Sequence, residues 1–152
     1  MTTSKQLLEI KGGNVATLPP TATVDKAVAM MHERRIGAVI VVDREQVVGL
    51  FTERDLLRRV VNPLLDPRQT RLREVMTASI TVASAETPLD EVRRLMRGER
   101  LTHLVTLDSD MILGVIALDD LISVSSAAPA GKPTTQSLEA HRTGKRNVAD
   151  VA

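Results

Sequence analysis

Three absences limit what this protein can be. The 152-residue sequence contains no cysteine, so it forms no disulfide bonds and no thiolate metal sites. It has no tryptophan or tyrosine and a single phenylalanine, Phe51, so it lacks the aromatic platform on which single-stranded nucleic acids stack. Twenty basic and nineteen acidic residues leave a formal net charge of +1, which also argues against a nucleic-acid partner.

Long apolar segments are missing too. No stretch approaches the roughly 20 apolar residues that a membrane-spanning helix needs. The first residues, Met1 to Lys5, are not followed by the apolar core of a signal peptide. We therefore expect a cytoplasmic protein with no membrane partner. Its hydrophobic fraction of 43% is enough to build an ordinary buried core.

What the sequence does contain is an internal repeat. A shift of 65 positions aligns residues 24–57 with residues 89–122 without a gap. Apolar residues match between the two copies, and identical residues coincide at the turns. Examples are Asp25 with Asp90, Gly49 with Gly114, and Asp55 with Asp120. Such self-similarity predicts two copies of one fold.

Each copy is predicted to run strand, helix, strand, strand, helix, which makes the fold class α/β (α+β) with two β-α-β-β-α repeats. The predicted strands are residues 15–18, 38–42 and 47–51 in the first copy, and 80–83, 104–107 and 112–117 in the second. Thr23 and the Thr87-Pro88 pair are expected to open the first helix of each copy. The closing helices are predicted over residues 53–61 and 118–124, the former burying Leu56, Leu57, Val60 and Val61.

These elements divide the chain into four predicted parts. They are an N-terminal helical segment (1–10, with its helix over 5–10), a first domain (11–66), a second domain (67–124) and a mobile tail (125–152). The tail is rich in Ala, Pro, Ser, Thr and Gly, and a transient helix is expected near residues 136–141. Arg58 and Arg59 are predicted to lie on a solvent-facing side of the first closing helix.

The strand-to-helix turn after the first hairpin carries the most informative motif. Gly49, two apolar residues, Thr52 and Asp55 place a hydroxyl and a carboxylate at a helix N-terminus, where they can bind a ribose diol. Thr52 and Asp55 also have the spacing of a capping box, which is the favoured interpretation of a single occurrence. The second copy has the same Gly and Asp, at Gly114 and Asp120, and this repetition favours a binding role.

Over residues 5–124 the sequence resembles the tandem CBS-domain pair, also called a Bateman module. The segments that carry the resemblance are Ile36–Asp43, Val48–Asp55, Val75-Met76-Thr77 and His103-Leu104-Val105. The resemblance implies two repeats related by a pseudo-two-fold axis, a nucleotide cleft that combines the Thr/Ser and Asp of one copy with strands of the other, and a homodimer.

The family pattern assigns site residues by position. The implied nucleotide-binding cleft consists of Thr52, Asp55, Ser79, Ile80, Thr81, Thr102, His103 and Leu104. A second cleft would consist of Asp120, Val15, Ala16, Thr17, Gly37, Ala38 and Arg54. Because Ala117 replaces the motif hydroxyl and Asp119 would repel a phosphate, we expect weak or no binding there. His103 fits a phosphate contact and a structural role equally well.

Two functions remain open at this point. The chain is predicted to be a sensor that binds an adenosine-containing nucleotide (AMP, ATP, NAD(H) or S-adenosylmethionine) and alters the binding of a separate, unidentified regulated protein. The alternative is a ligand-free scaffold of the same fold, in which Thr52 and Asp120 only cap helices. Catalytic constellations are missing, so we predict no enzymatic activity and no catalytic cofactor. His32 lies on a predicted helix and His141 in the predicted tail, so we do not expect them to form a metal site with His103.

Overall fold

The computed structural model describes residues 2–12 and 15–126, with no side chains described for residues 124–126. The chain divides into two compact units, residues 1–118 and residues 119–152. The predicted tail lies almost wholly outside the described residues, and so does the helix expected near residues 136–141. The predicted domain bounds stay a prediction.

The first unit contains both predicted repeats except for the second closing helix. In chain order its elements are α1 (Ser4–Lys11), β1 (Thr17–Leu18), α2 (Val24–Arg34), β2 (Ala38–Asp43), β3 (Gln46–Thr52), α3 (Glu53–Asp55, continuing as a π-helix over Leu56–Val61), α4 (Leu72–Val75), β4 (Val82–Ser84), α5 (Leu89–Gly98), β5 (His103–Asp108) and β6 (Met111–Ala117). The final helix, α6 (Leu118–Ser126), begins at Leu118, and its remaining residues belong to the second unit.

Two three-stranded sheets, β1-β2-β3 and β4-β5-β6, confirm the predicted α/β architecture. In each sheet the first pair of strands is parallel and the second pair is antiparallel. Ala38 pairs with Thr52 in the first sheet, and His103 pairs with Ala117 at the corresponding place in the second. Even the irregularity in the hairpin recurs, between Val41 and Val42 and again between Thr106 and Leu107. The 65-residue period therefore holds at the level of individual backbone pairs.

Alternation along β2 sends its side chains into two different cores. Val39 and Val41 pack with Phe51 against the apolar stripe of α2, formed by Val24, Ala27 and Met31. The intervening residues, Ala38 and Ile40, pack instead with Leu50 and with Val105 of the second sheet. The second of these cores joins the two sheets within the first unit.

The N-terminal helix α1 covers the second repeat in the way that α4 covers the first. Ser4 N donates to Thr87 O at 2.9 Å, and Leu72 N donates to Ala22 O at 2.9 Å. The two acceptors are 65 positions apart, as the repeat requires, but the two donors are 68 apart. This three-residue difference takes α1 and α4 out of the alignment register. The prediction of a helix over residues 5–10 is confirmed, and its partner is the distant repeat.

Several local predictions are wrong. Thr23 is the N-cap residue of α2, but its hydroxyl donates to the Asp25 carboxylate instead of accepting from a helical N–H group. The N-cap residue of α5 is Pro88, and the Thr87 hydroxyl accepts from Ser84 N at 3.0 Å. Strands β1 and β4 are also shorter than predicted, and β4 begins two residues later.

The prediction of four buried residues on α3 is half right. Val60 is buried and Leu56 packs partly buried against the core. Leu57 and Val61, in contrast, are 62% and 53% exposed. The apolar stripe of α3 is wider than the part of the helix that packs against the core, so one flank of the stripe faces outward.

Candidate nucleotide site

Thr52 and Asp55 form the capping box that their spacing allows. Thr52 is extended at the N-cap of α3, and its hydroxyl accepts from Asp55 N at 3.2 Å. In return, Asp55 Oδ2 accepts from Thr52 N at 3.0 Å. Both residues are buried, with 8% and 5% of their surface exposed. These two side chains therefore cap the N-terminus of α3, in addition to any role in ligand binding.

The Asp55 carboxylate has further partners that the sequence did not predict. Its Oδ1 accepts from the Thr77 hydroxyl at 2.9 Å and lies 3.7 Å from Arg59 Nε. Arg59 also donates to Met76 O at 2.7 Å. The prediction that Arg59 is merely a solvent-facing cation is wrong, because this side chain holds Asp55 and the segment after α4 together.

That segment, residues 76–77, docks on the edge of β3. Leu50 N donates to Thr77 O and Thr77 N donates to Leu50 O, both at 2.9 Å. A Cβ atom on Gly49 would lie 2.6 Å from Met76 Sδ and 3.0 Å from Thr77 O, so this glycine permits the close approach. Gly49, Thr52 and Asp55 thus form one surface that receives the inter-repeat segment. Val75-Met76-Thr77 was the sequence signal for it, but the pattern did not disclose the bond to Asp55.

Ser79, Ile80 and Thr81, which are predicted to face an adenine, differ in burial and in their contacts. Ile80 packs against the core that joins the two sheets. Ser79 is exposed, whereas the Thr81 hydroxyl donates to the Glu99 carboxylate. Ile80 therefore packs against the core that contains Leu50 of β3.

His103 brings the second repeat to the start of α3. A Cβ atom on Gly37 would lie 2.9 Å from His103 Nε2 and 2.8 Å from Glu53 Oε1, so the imidazole and the carboxylate approach the same point. Glu53 N donates to Gly37 O at 3.1 Å, and the other imidazole nitrogen of His103 is 3.0 Å from Thr102 Oγ1. Glu53 is a polar neighbour of the site that sequence reasoning missed. Leu104, in contrast, is fully buried in the core.

Of the predicted second cleft, Ala16, Thr17 and Ala38 lie on or beside the paired strands β1 and β2. Ala16 O accepts from Ile40 N at 2.9 Å, and Thr17 pairs with Ile40 in the sheet. Arg54 donates to Arg100 O at 2.6 Å, so its guanidinium group fastens α3 to the end of α5. Gly37, assigned to this cleft, lies beside His103, assigned to the other. Asp120 belongs to the second unit and is described only within α6.

Within residues 2–12 and 15–126, no three His, Asp or Glu side chains are grouped to hold a metal ion. In the same part of the chain, no helix is long and apolar enough to cross a membrane.

Two copies of a β-α-β-β-α unit, each with a strand-to-helix turn after its hairpin, define a tandem-repeat module. The family model for the CBS domain matches residues 9–62 and 72–127. The chain therefore belongs to the CBS-domain family, which confirms the resemblance seen in its sequence, and it carries a CBS pair of the regulatory type.

Individual relatives agree with this assignment. The CBS domain-containing protein YhcV of Bacillus subtilis is 30% identical over 122 residues, covering 80% of this chain and 86% of YhcV. A signal-transduction protein with CBS domains from Burkholderia ambifaria has a similar structure (TM-score 0.79, 34% identity, 84% of this chain and 96% of that one). The CBS domain protein PAE2072 from Pyrobaculum aerophilum, solved in complex with AMP, is similar at a TM-score of 0.69 and 25% identity, over 78% of this chain and 89% of that one.

Proposed function

We propose that this CBS pair is a non-catalytic sensor that binds an adenosine-containing nucleotide and thereby alters its association with a separate regulated protein. The observation that carries the proposal is the convergence at the start of α3. Thr52 and Asp55 from the first repeat lie next to Glu53, whose carboxylate approaches His103 from the second. A hydroxyl, a carboxylate and an imidazole from two repeats are groups suited to a nucleoside and its 5′ substituent.

In this proposal the Asp55 carboxylate accepts from the ribose diol and Thr52 adds a polar contact. The Ser79–Thr81 segment contacts the base, while Thr102, His103 and the main chain of Leu104 lie at the 5′ end. AMP is the first ligand to consider, because a relative of similar fold has been solved with AMP. The Glu53 carboxylate beside His103 disfavours a chain of several phosphates, so ATP ranks below AMP.

Isothermal titration calorimetry with AMP, ATP, NADH and S-adenosylmethionine tests this function directly. Saturable binding that is lost in Asp55→Ala, and kept in the control Asp43→Ala on the exposed end of β2, is the expected result. Asp55→Ala loses the cap contact, worth about 1–2 kcal/mol, and in addition the contacts with Thr77 and Arg59, so its folding is checked by circular dichroism. Binding that is unchanged in Asp55→Ala contradicts the ribose assignment.

A second candidate, a ligand-free interaction module, is favoured by one observation: both Asp55 carboxylate oxygens already have partners within the protein. Thermal denaturation separates the two candidates, because a ligand that binds only the folded state raises the melting temperature. No change in melting temperature with any of the four nucleotides, together with no heat of binding, favours the interaction module.

We also propose that the protein forms a homodimer through the outward flank of α3. Leu57 and Val61 are exposed there, and Leu64 and Leu65 follow at 89% and 43% exposure. Apolar side chains grouped in this way are typical of an association surface. Sedimentation velocity of wild type and Leu57→Glu tests the proposal. A dimer that dissociates in the variant supports it, and a wild-type monomer, or a dimer that persists in the variant, rejects it.

A further inference from the structure

We propose that the Thr77 hydroxyl is an internal competitor for the carboxylate of Asp55, and that it sets the affinity of the site for nucleosides. This inference rests on the proposed function, in which the ribose binds Asp55. It concerns a residue on the inter-repeat segment that lies outside the predicted set of ligand-binding positions.

The argument starts from the hydrogen-bonding capacity of Asp55. An ionised carboxylate has about four lone-pair sites, two on each oxygen. Oδ2 accepts from Thr52 N at 3.0 Å and from the Thr52 hydroxyl at 3.2 Å. Oδ1 accepts from the Thr77 hydroxyl at 2.9 Å and lies 3.7 Å from Arg59 Nε. Hydrogen bonds thus occupy three of the four sites on a carboxylate that is only 5% exposed, whereas a ribose diol bound through both hydroxyls needs two sites. A nucleoside must therefore displace one of these partners.

The partners differ in how readily they can leave. The N–H group and the hydroxyl of Thr52 both belong to the capping box, in which the hydroxyl also accepts from Asp55 N at 3.2 Å, so both stay beside Asp55 unless the first turn of α3 opens. The Arg59 side chain is held by its second contact, with Met76 O at 2.7 Å. Thr77 is held through its backbone, which pairs with Leu50 on both sides. Its hydroxyl can turn away by rotation about χ1 while that backbone pairing stays in place. Thr77 is thus the partner that a ribose hydroxyl replaces.

When no nucleoside is present, the Thr77 hydroxyl consequently occupies the position on Asp55 at which a ribose hydroxyl would bind. Breaking one hydrogen bond to an ionised carboxylate opposes binding by about 1.5–3 kcal/mol, which corresponds to about a 10- to 150-fold weaker affinity. Thr77→Val keeps the shape of the side chain and removes the donor. We expect it to bind adenosine about 10- to 150-fold more tightly than wild type, and Thr77→Ser, which keeps the hydroxyl, to bind as wild type does.

Calorimetric titration of adenosine and of AMP into the full-length chain tests the inference. Thr70→Val is the matched control, because Thr70 also lies between the two repeats, on the other side of α4, but its hydroxyl donates to Asp66 O at 2.8 Å. It makes the same chemical change without touching Asp55. Circular dichroism establishes that each variant is folded, and Thr77→Ala serves in place of Thr77→Val if the latter is not.

The outcomes separate the inference from the function on which it rests. Tighter binding in Thr77→Val, with Thr77→Ser and Thr70→Val as in wild type, supports the competition. If Thr77→Val binds the nucleoside and wild type shows no binding, the competition is also supported, because the Thr77 hydroxyl then blocks Asp55 in wild type. Wild-type binding that is unchanged or weakened in Thr77→Val overturns the competition and leaves the nucleotide function standing. No binding in either protein overturns both.

Discussion

Replacing Thr106 by valine should stabilise this protein. Thr106 lies in the middle of β5, is fully buried, and has a hydroxyl that finds no hydrogen-bond partner among the described residues. A buried polar group without a partner costs about 1–3 kcal/mol, and valine has nearly the same shape without that group. The residue 65 positions earlier, Val41, is also fully buried and stands at the same hairpin irregularity. The fold therefore accepts valine at this place.

We expect Thr106→Val to raise the free energy of unfolding by about 1 kcal/mol, the lower end of that range, because the backbone around a new methyl group relaxes incompletely. For a chain of this size, that corresponds to an increase of about 2–4 °C in melting temperature. The reciprocal change, Val41→Thr, buries a new hydroxyl in the equivalent position and should lower stability. Urea denaturation of both variants measures the effect. A loss of stability in Thr106→Val would refute the reasoning, because it would mean that the hydroxyl is satisfied.

Two further predictions concern the site and the N-terminal helix. Glu53→Gln removes the charge beside His103 and should raise the affinity for AMP about five-fold while leaving that for adenosine unchanged. Glu45→Gln, at the exposed hairpin turn, is its control in calorimetry, and an equal gain for both ligands would contradict a charge effect. Leu8→Ala should cost about 2–4 kcal/mol in urea denaturation, because Leu8 is 5% exposed and lies against Gly114. Ile10→Ala, on the same helix but 80% exposed, should cost little, and similar losses in both would argue against the docking.

The strands and the repeat were predictable because both follow from local pattern. The apolar runs predicted the positions of β2 and β5, and the 65-residue period predicted that the second sheet repeats the first. The Thr52–Asp55 capping box was also predictable, since its spacing is short and its geometry is local. Thr23 shows where this reasoning stops. Its hydroxyl can either accept from a backbone N–H group of the first helical turn or donate to the nearby Asp25 carboxylate. In the structure it donates to Asp25.

Contacts between distant segments could not be predicted from local sequence patterns. The bond between Thr77 and Asp55 joins residues 22 positions apart, and its existence depends on how the segment after α4 lies along β3. Burial of Leu57 and Val61 was expected because they are apolar, but burial also requires a covering surface. The repeat alignment could not predict which repeat α1 covers, because the register of α1 differs by three residues from that of α4.

The position of α1 has a consequence for the order in which this chain folds. Its first residues are among the first to be synthesised, yet the acceptor for Ser4, the carbonyl of Thr87, lies 83 residues further along. Until that carbonyl emerges, α1 has no hydrogen-bonding partner on the sheet it covers, whereas α4 follows the sheet it covers. The first repeat can thus complete its fold as soon as residue 77 has emerged during synthesis. The second repeat needs a segment from the opposite end of the chain, so we expect its completion to be the slower step.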